Sequence, residues 1–413
     1  MSWLTNCRTS DGRLLDIEVV DGAMAQVVDH DPAAVRPGDD LGSWLVLPAM
    51  GEPHAHLDKA LTAERVPNPT GDLPGAVRAW ADAAATGMFT PENCVERATD
   101  ALDRLVARGT TAVRTHINVT PEVGAVNVEA MLEVKRRFEG VIDLQIVALT
   151  GGPMVGPEGA GARAALERAI ELGVDVVGGC PHLNDDAAAH VRYAFDMAAE
   201  AGLDIDLHTD ETLNPSVLTV LDVASRVIET GFAGRVAASH CVSLAMLDAA
   251  RQAEVAQVVA RSGIAVIALP QTNLYLQGRD QPTATPRGLT AVAALRRAGC
   301  LVAAGADNVQ DPYNLVGRSD PLETAALMVM AGHVLPDIAY DMVSNDVRQA
   351  LGLDRVEFRP GDPADLMVVD AASVRAAIAD APMNRIVYRQ GREVARTSCR
   401  SMIHPLTTPS ENP

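Results

Sequence analysis

A histidine pair separated by one residue is the most chemically informative feature of the sequence. His54 and His56 lie in the segment EPHAHLD, residues 52–58, which follows a short apolar run. Side chains two residues apart on a β-strand point to the same side, so the two imidazoles can bind one ion together. Imidazole is a frequent ligand of zinc and iron, and a catalytic site keeps one coordination position free for water. The pair therefore predicts a catalytic metal site rather than two hydrogen-bonded core histidines.

Three more polar residues stand at the ends of other apolar runs. His208 and Asp307 could complete a set of three histidines and one aspartate around the same ion. Asp307 could also accept the proton that a water molecule loses when it attacks a substrate. His240 is either a fourth histidine ligand or, in the interpretation that we favour, a residue beside the metal that contacts water or substrate.

Glu211 lies three residues beyond His208 and is the candidate proton donor. A carboxylic acid there could protonate a ring nitrogen and later pass a proton to a departing amine. The alternative is an ordinary glutamate in the first turn of the next helix. The fourth apolar run, residues 175–181, contains no lysine of the kind that bridges the ions of two-metal sites. The sequence therefore predicts one divalent metal ion, Zn²⁺ or Fe²⁺.

The middle of the chain repeats a short apolar run followed by a longer segment with helical spacing, such as residues 91–108, 162–172 and 185–201. Glycines at 109, 173, 202, 263 and 299 are predicted to follow helix ends. The eight apolar runs are residues 43–56, 111–119, 143–150, 175–181, 204–211, 235–241, 264–273 and 301–308. Runs that are apolar throughout are typical of a parallel sheet that is covered on its outer face.

Eight β/α units could form an open sheet or a closed barrel. The polar candidates lie at the ends of the first, fifth, sixth and eighth runs, and only a closed barrel makes the first and eighth strands neighbours with all ends at one mouth. The sequence therefore predicts a (β/α)8 TIM barrel over residues 50–353. Strand-like runs at both ends of the chain predict one small β-sandwich-like domain, made of residues 1–49 and 354–413 together with the tail after Thr397.

Composition excludes several classes of partner. The formal net charge of −20 disfavours nucleic acid and anionic membranes. No stretch reaches the roughly 18 apolar residues of a membrane helix, and the start lacks the pattern of a signal peptide, so we expect a cytoplasmic protein. The six cysteines contain no C-x-x-C pair, which makes a disulfide framework or a cysteine zinc site improbable.

Eight short segments, spread in order over nearly the whole predicted barrel, resemble the cytosine deaminase branch of the amidohydrolase superfamily. They are HAHLD (54–58), VRTH (113–116), DLQIVA (143–148), GVDVVG (173–178), HTDE (208–211), ASH (238–240), LQGR (276–279) and DNVQDP (307–312). The resemblance implies a mononuclear iron or zinc site. It implies the ligands His54, His56, His208 and Asp307, with Glu211 as proton shuttle and His240 as the residue that orients the attacking water.

Two positions depart from that branch where it recognises its substrate. The branch has a glutamine that holds the pyrimidine where this chain has Gly151, and a second aspartate where this chain has Asn308. A related branch that removes substituted amines from triazine rings shares the Asp-Asn pair but lacks a glutamate like Glu211. Gln277 matches the family and either lines the pocket or stabilises a loop. We therefore take Asn308, Gln277 and Gly151 as candidate substrate-binding positions.

The sequence as a whole predicts a metal-dependent hydrolase that deaminates a small nitrogen heterocycle other than plain cytosine, by attack of activated water on an amidine carbon. One alternative is an amidohydrolase that opens a cyclic amide or removes a substituted amine from a triazine-type ring. Another is a barrel that binds metal or ligand without turnover. The expected partner is a small heterocyclic substrate, and assembly into a homo-oligomer stays open.

Overall fold

The computed structural model describes residues 2–404, which form two sheets of eight strands each. The last nine residues of the predicted tail, 405–413, lie outside the described residues. Within residues 2–404, no helix has the length and apolar character that crossing a membrane requires.

The amino-terminal segment forms short strands joined by turns, as the sequence predicted. The strands are β1 (Ser2–Arg8), β2 (Leu14–Val20), β3 (Ala23–Asp29), β4 (Gly38–Asp40) and β5 (Leu45–Pro48). Asp21 and Gly22 form the turn between β2 and β3, and both have positive φ angles of 51° and 84°. Such left-handed residues suit a two-residue hairpin because their twist matches that of the paired strands.

Eight parallel strands follow and form the barrel. They are β6 (Met50–Ala55), β7 (Thr110–Asn118), β8 (Asp143–Leu149), β9 (Val176–Gly179), β10 (Asp204–Thr209), β11 (Val236–His240), β12 (Ala265–Ala268) and β13 (Val302–Ala304). Each strand pairs in parallel with the next, so the predicted (β/α)8 barrel is confirmed. The first strand, β6, and the last strand, β13, lie next to each other, and an isolated parallel bridge joins Ala55 to Asp307 at this point.

Several predicted strands were too long, and the first predicted run, residues 43–56, contains two strands of different sheets, β5 and β6. The seventh run continues past β12 into a helix that begins at Pro270, because proline at the first position of a helix favours helical backbone there. The eighth run was predicted to reach Asn308, but β13 ends at Ala304. Asp307 therefore lies three residues beyond its strand.

Helices surround the barrel strands. They are α1 (Leu73–Ala85), α2 (Pro91–Ala107), α3 (Val126–Arg137), α4 (Ala160–Leu172), α5 (Ala187–Ala201), α6 (Thr219–Thr230), α7 (Ala249–Ser262), α8 (Pro270–Leu276), α9 (Val292–Arg297), α10 (Pro321–Met330), α11 (Pro336–Met342) and α12 (Asn345–Ala350). Asp186 and Asp248 cap α5 and α7 by accepting backbone N–H groups. The predicted stops at Gly173, Gly202 and Gly263 are left-handed C-caps, whereas Gly109 and Gly299 each follow the cap by one residue.

The carboxyl-terminal segment returns to the amino-terminal strands. Its elements are β14 (Leu366–Val369), α13 (Val374–Asp380), β15 (Arg385–Arg389) and β16 (Arg392–Thr397). β14 pairs antiparallel with β5, which gives one mixed sheet in the order β16-β15-β14-β5-β1-β2-β3, with β4 on β1. A single β unit from both termini is thus confirmed. Side chains alternate across β5: Leu45 and Leu47 join the barrel core, and Val46 joins the core of the terminal sheet.

Candidate metal and active site

Three imidazole rings meet at the mouth of the barrel. His54 lies in β6, His56 is the first residue after it, and His208 lies near the end of β10. The His208 Nε2 atom is 3.1 Å from His54 Nε2 and 3.4 Å from His56 Nε2. All three side chains are buried. The structure therefore brings together the three histidines that the sequence predicted as ligands.

Asp307 reaches the same point from the loop after β13. Its Oδ1 atom lies 3.2 Å from His56 Nε2 and 3.8 Å from His54 Nε2. The residue has a φ of +69°, a conformation that costs a non-glycine residue on the order of 1–3 kcal/mol and is concentrated at functional sites. The strained backbone turns the carboxylate towards the histidines although the strand has already ended.

The chemistry of this donor set fits a divalent cation. Burial, the largest cause, and then the charges of neighbouring groups hold the pKa of His54, His56 and His208 well below its ordinary value, so the rings are neutral. Among the residues described, neither oxygen of Asp307 has a hydrogen-bond partner. Neutral imidazole nitrogens and a carboxylate within a few ångströms of one another are the ligands that zinc and iron take in proteins. Because an unpaired buried carboxylate is costly, a bound cation explains why this one is retained.

His240 ends β11 beside these groups. Its Nε2 atom lies 4.0 Å from Asp307 Oδ2, and its Nδ1 atom lies 3.2 Å from the side-chain oxygen of Asn273. Successive side chains of a regular strand face opposite sides, yet both His240 and the preceding Ser239 reach the interior. The positive φ of His240, 72°, breaks the alternation and turns the ring back to the centre. Burial lowers the pKa of His240 to about 4.

Glu211 lies on the loop after β10. Its Oε1 atom is 3.7 Å from His240 Nδ1, and the side chain is buried. Burial, reinforced by the negative charge of Asp307, raises the pKa of Glu211 well above its ordinary value and so favours the protonated carboxyl group. The alternative of a first-turn helix residue is wrong, because α6 begins only at Thr219.

The three candidate substrate-binding positions differ in their surroundings. The side-chain amide of Asn308 donates to Asp311 at 2.7 Å, and that of Gln277 donates to the backbone oxygen of Glu211 at 3.3 Å. Gln277 therefore contacts the backbone of the candidate acid, and Asn308 directly follows the candidate ligand Asp307 in the chain. Gly151 lies in the exposed loop after β8, and a Cβ atom built on it would meet no atom within 4 Å.

A buried polar chain behind His54 was not predicted from the sequence. His54 Nδ1 lies 2.9 Å from the hydroxyl of Ser239, which donates to Asp206 at 2.8 Å. Asp206 in turn pairs with Arg114 at 2.9 Å. Arg114 and Asp206 each stand two residues before a mouth histidine on the same strand, so their side chains also face the barrel interior. That spacing was a signal that could have found them.

An eight-stranded parallel barrel with these histidines and an aspartate at the carboxyl ends of its strands defines a metal-dependent hydrolase. The chain belongs to the amidohydrolase family, whose model matches residues 127–396. The matched segment contains His208, His240 and Asp307, and the His54–His56 pair precedes it. The resemblance to the cytosine deaminase-like branch is confirmed by the relatives that follow.

The chain is similar to several characterised proteins over nearly its whole length. It is 33% identical to a pterin deaminase of Rhizobium rhizogenes, over 92% of this chain and 88% of that protein. It is 25% identical to N-isopropylammelide isopropyl amidohydrolase of a Pseudomonas strain, over 92% and 93%. The crystal structure of 5-methylcytosine deaminase from Klebsiella pneumoniae, liganded with 5-fluorocytosine, matches with a TM-score of 0.88 and 29% identity, over 98% of this chain and 100% of that one.

Proposed function

We propose that this chain is a deaminase that uses one zinc or iron ion to hydrolyse the exocyclic C–N bond of a small aminated heterocycle. A pterin-type ring is the first candidate substrate, because the pterin deaminase is 33% identical to this chain. The observation that carries the proposal is the position of Glu211, whose buried carboxyl group lies 3.7 Å from His240 Nδ1 at the edge of the histidine and aspartate cluster. A site that only bound a metal would not need a buried acid at this point.

In the proposed site His54, His56, His208 and Asp307 hold the cation. A divalent cation bound there would lower the pKa of a water molecule and so supply the nucleophile. The side chains of the protein carry out the proton transfers.

The side chains divide the proton transfers between them. Asp307 accepts one proton from the attacking water, and Glu211 gives its proton to the ring nitrogen of the amidine. His240, whose Nδ1–H donates to Asn273, orients the water by accepting a hydrogen bond from it at Nε2. The carbon then carries a hydroxyl and an amino group: Asp307 passes its proton to the amino group, Glu211 takes the hydroxyl proton, and ammonia leaves. Both carboxyl groups finish as they began, and the ring gains a carbonyl and an N–H.

Asn308, Gln277 and Gly151 are proposed to border the ring. The open space at Gly151 would admit a ring larger than a single pyrimidine, because no side chain projects from that position. The amide of Gln277 supports the backbone of Glu211 and so links the substrate side of the site to the acid.

The test is a substrate panel with purified protein that has been loaded with Zn²⁺ or Fe²⁺ and assayed for bound metal. We expect stoichiometric ammonia release from pterin, with weaker release from 5-methylcytosine and the least from cytosine. Release of isopropylamine from N-isopropylammelide without ammonia from any amino ring would favour the triazine-type alternative. Stoichiometric binding of these rings without any product would favour a non-catalytic barrel and refute the proposal.

A further inference from the structure

A continuous chain of hydrogen bonds runs from the barrel interior to one candidate metal ligand. The guanidinium of Arg114 donates to Asp206 Oδ2 at 2.9 Å, and the hydroxyl of Ser239 donates to Asp206 Oδ1 at 2.8 Å. The same hydroxyl oxygen lies 2.9 Å from Nδ1 of His54. Each of these side chains is at most 1% exposed, so water does not compete for any of these bonds.

The direction of the chain determines which nitrogen of His54 carries its proton. A serine hydroxyl has one proton, and here it is donated to Asp206. The oxygen of Ser239 can then only accept from the imidazole, which places the proton on Nδ1. A neutral ring protonated on Nδ1 has its lone pair on Nε2, the atom that faces His208 and Asp307.

We propose that Ser239 and Asp206 are positioning residues that hold His54 as its Nδ1–H tautomer, with the Nε2 lone pair presented to the metal. Partners of this kind raise the basicity of a ligating imidazole and fix the orientation of its ring. The inference rests on the proposed function only in requiring that the site binds a cation, and it is independent of the substrate.

The far end of the chain is rigidly held. Arg114 also donates through Nε and Nη2 to the side-chain oxygen of Gln145, at 2.9 and 2.8 Å, and Gln145 donates to the backbone oxygen of Leu351. Asp206 is thereby fixed by a guanidinium whose own position is determined by two other strands and a loop. The chain of hydrogen bonds from Arg114 through Asp206 and Ser239 to His54, which we call the relay, is thus anchored at its Arg114 end.

A second cation between His54, His116 and Asp206 is the alternative use of these groups. Their ligand atoms lie within 4.8 Å of one another. The Arg114 guanidinium already neutralises Asp206, however, and its positive charge opposes a cation at the same oxygen. His54 Nδ1 is moreover engaged by Ser239. His116 stacks on His54 with ring centroids 3.7 Å apart and so holds the plane of the ring.

Two variants test the relay through metal affinity. Ser239→Ala removes the acceptor of the Nδ1 proton, and we expect Zn²⁺ affinity to fall about 10- to 100-fold. In Asp206→Asn, the side-chain oxygen still accepts from Arg114, and the side-chain NH2 group donates to the hydroxyl oxygen of Ser239. Ser239 must then donate its own proton to Nδ1 of His54, which moves the imidazole proton to Nε2. We expect the larger loss of affinity in this variant. Competition with a chelator gives the dissociation constants, and the d–d spectrum of bound Co²⁺ reports the ligand geometry.

The matched control is Ser243→Ala. Ser243 is also fully buried and lies on the loop after β11, but its hydroxyl donates to the backbone oxygen of Val217, away from the relay. Its Zn²⁺ affinity should equal that of the wild type. The relay is refuted if Ser239→Ala is folded, as shown by its circular dichroism spectrum and melting curve, and binds Zn²⁺ as tightly as this control.

The tautomer of His54 in the wild-type protein provides a second test. In the metal-free protein with ¹⁵N-labelled histidine, the His54 resonances, assigned by their loss in His54→Gln, should show the Nδ1–H tautomer. An Nε2–H tautomer would overturn the relay. These outcomes are distinct from failure of the proposed function, which would appear as a metal-loaded protein with an intact relay and no ammonia release.

Discussion

Gly305 approaches Glu52 so closely that a Cβ atom on the glycine would lie 2.2 Å from Glu52 Oε1. The approach matters because Glu52 joins the first and last strands of the barrel. Its carboxylate accepts the N–H of Ala306 at 2.9 Å and the N–H of His54 at 3.2 Å. One side chain therefore fixes the backbone of a predicted metal ligand relative to the loop that carries Asp307.

We expect Gly305→Ala to destabilise the fold by about 1–3 kcal/mol, because the added methyl group overlaps a buried carboxylate. Glu52→Ala should cost a similar amount, since it leaves two buried N–H groups without acceptors. In the double variant the added methyl group no longer overlaps a carboxylate. The loss of stability in the double variant should therefore be smaller than the sum of the losses in the two single variants. Urea unfolding of the three variants measures the coupling, with Gly151→Ala as a control at a glycine that has open space around it. Strictly additive losses would contradict this account.

Much of the barrel and of the site could be predicted because each depends on local spacing. The His54–His56 pair is visible in the sequence because alternation along a strand places both rings on one side. Asp307 was predicted to end a strand, whereas it lies on a loop and is itself a residue with left-handed backbone, a conformation that strand patterns do not predict. Ser239 was missed because it precedes His240 directly, and alternation allows only one of two neighbours to face the interior. Glu52 and Ala306 are 254 residues apart, so no local pattern announces their hydrogen bond.

Glu211→Gln should separate catalysis from metal binding. The amide keeps the size and burial of the side chain but cannot give a proton to a ring nitrogen, and we expect kcat to fall by about 10²- to 10⁴-fold. Glu211 is not a proposed ligand, so metal content should match the wild type in the same preparation. Ammonia release and metal analysis on one sample check both statements. Full activity in this variant would remove Glu211 from the mechanism.

Asp307→Asn should impair both catalysis and metal binding. The amide retains the shape of the residue. It loses the negative charge that compensates the charge of the buried cation, and it can no longer accept a proton. Zn²⁺ added at roughly 100 times its dissociation constant should stabilise the wild type by about 2.7 kcal/mol. We expect a clearly smaller shift in the variant, together with lost turnover. A chelator should abolish wild-type activity, and Zn²⁺ or Fe²⁺ should restore it. Metal-dependent stabilisation equal to that of the wild type would show that Asp307 is not a ligand.

The attachment of the terminal sheet to the barrel provides a prediction that is independent of the active site. Arg385 at the start of β15 makes two parallel hydrogen bonds at 2.9 Å to Asp320, the residue that caps α10, and a further one to the backbone oxygen of Arg108. The arginine side chain is 1% exposed. Removing one partner of a buried pair leaves an uncompensated charge, so Arg385→Ala should cost about 3–5 kcal/mol.

The exposed pair of Arg168 and Glu171 is the matched control for that substitution. Because its side chains are 56% and 67% exposed, Arg168→Ala should cost at most about 1 kcal/mol. Equal losses in the two variants, measured by urea unfolding at the same salt concentration, would show that the Arg385–Asp320 pair does not secure the sheet to the barrel. A loss confined to Arg385→Ala, with Zn²⁺ affinity unchanged, would show that the sheet stabilises the barrel without shaping its metal centre.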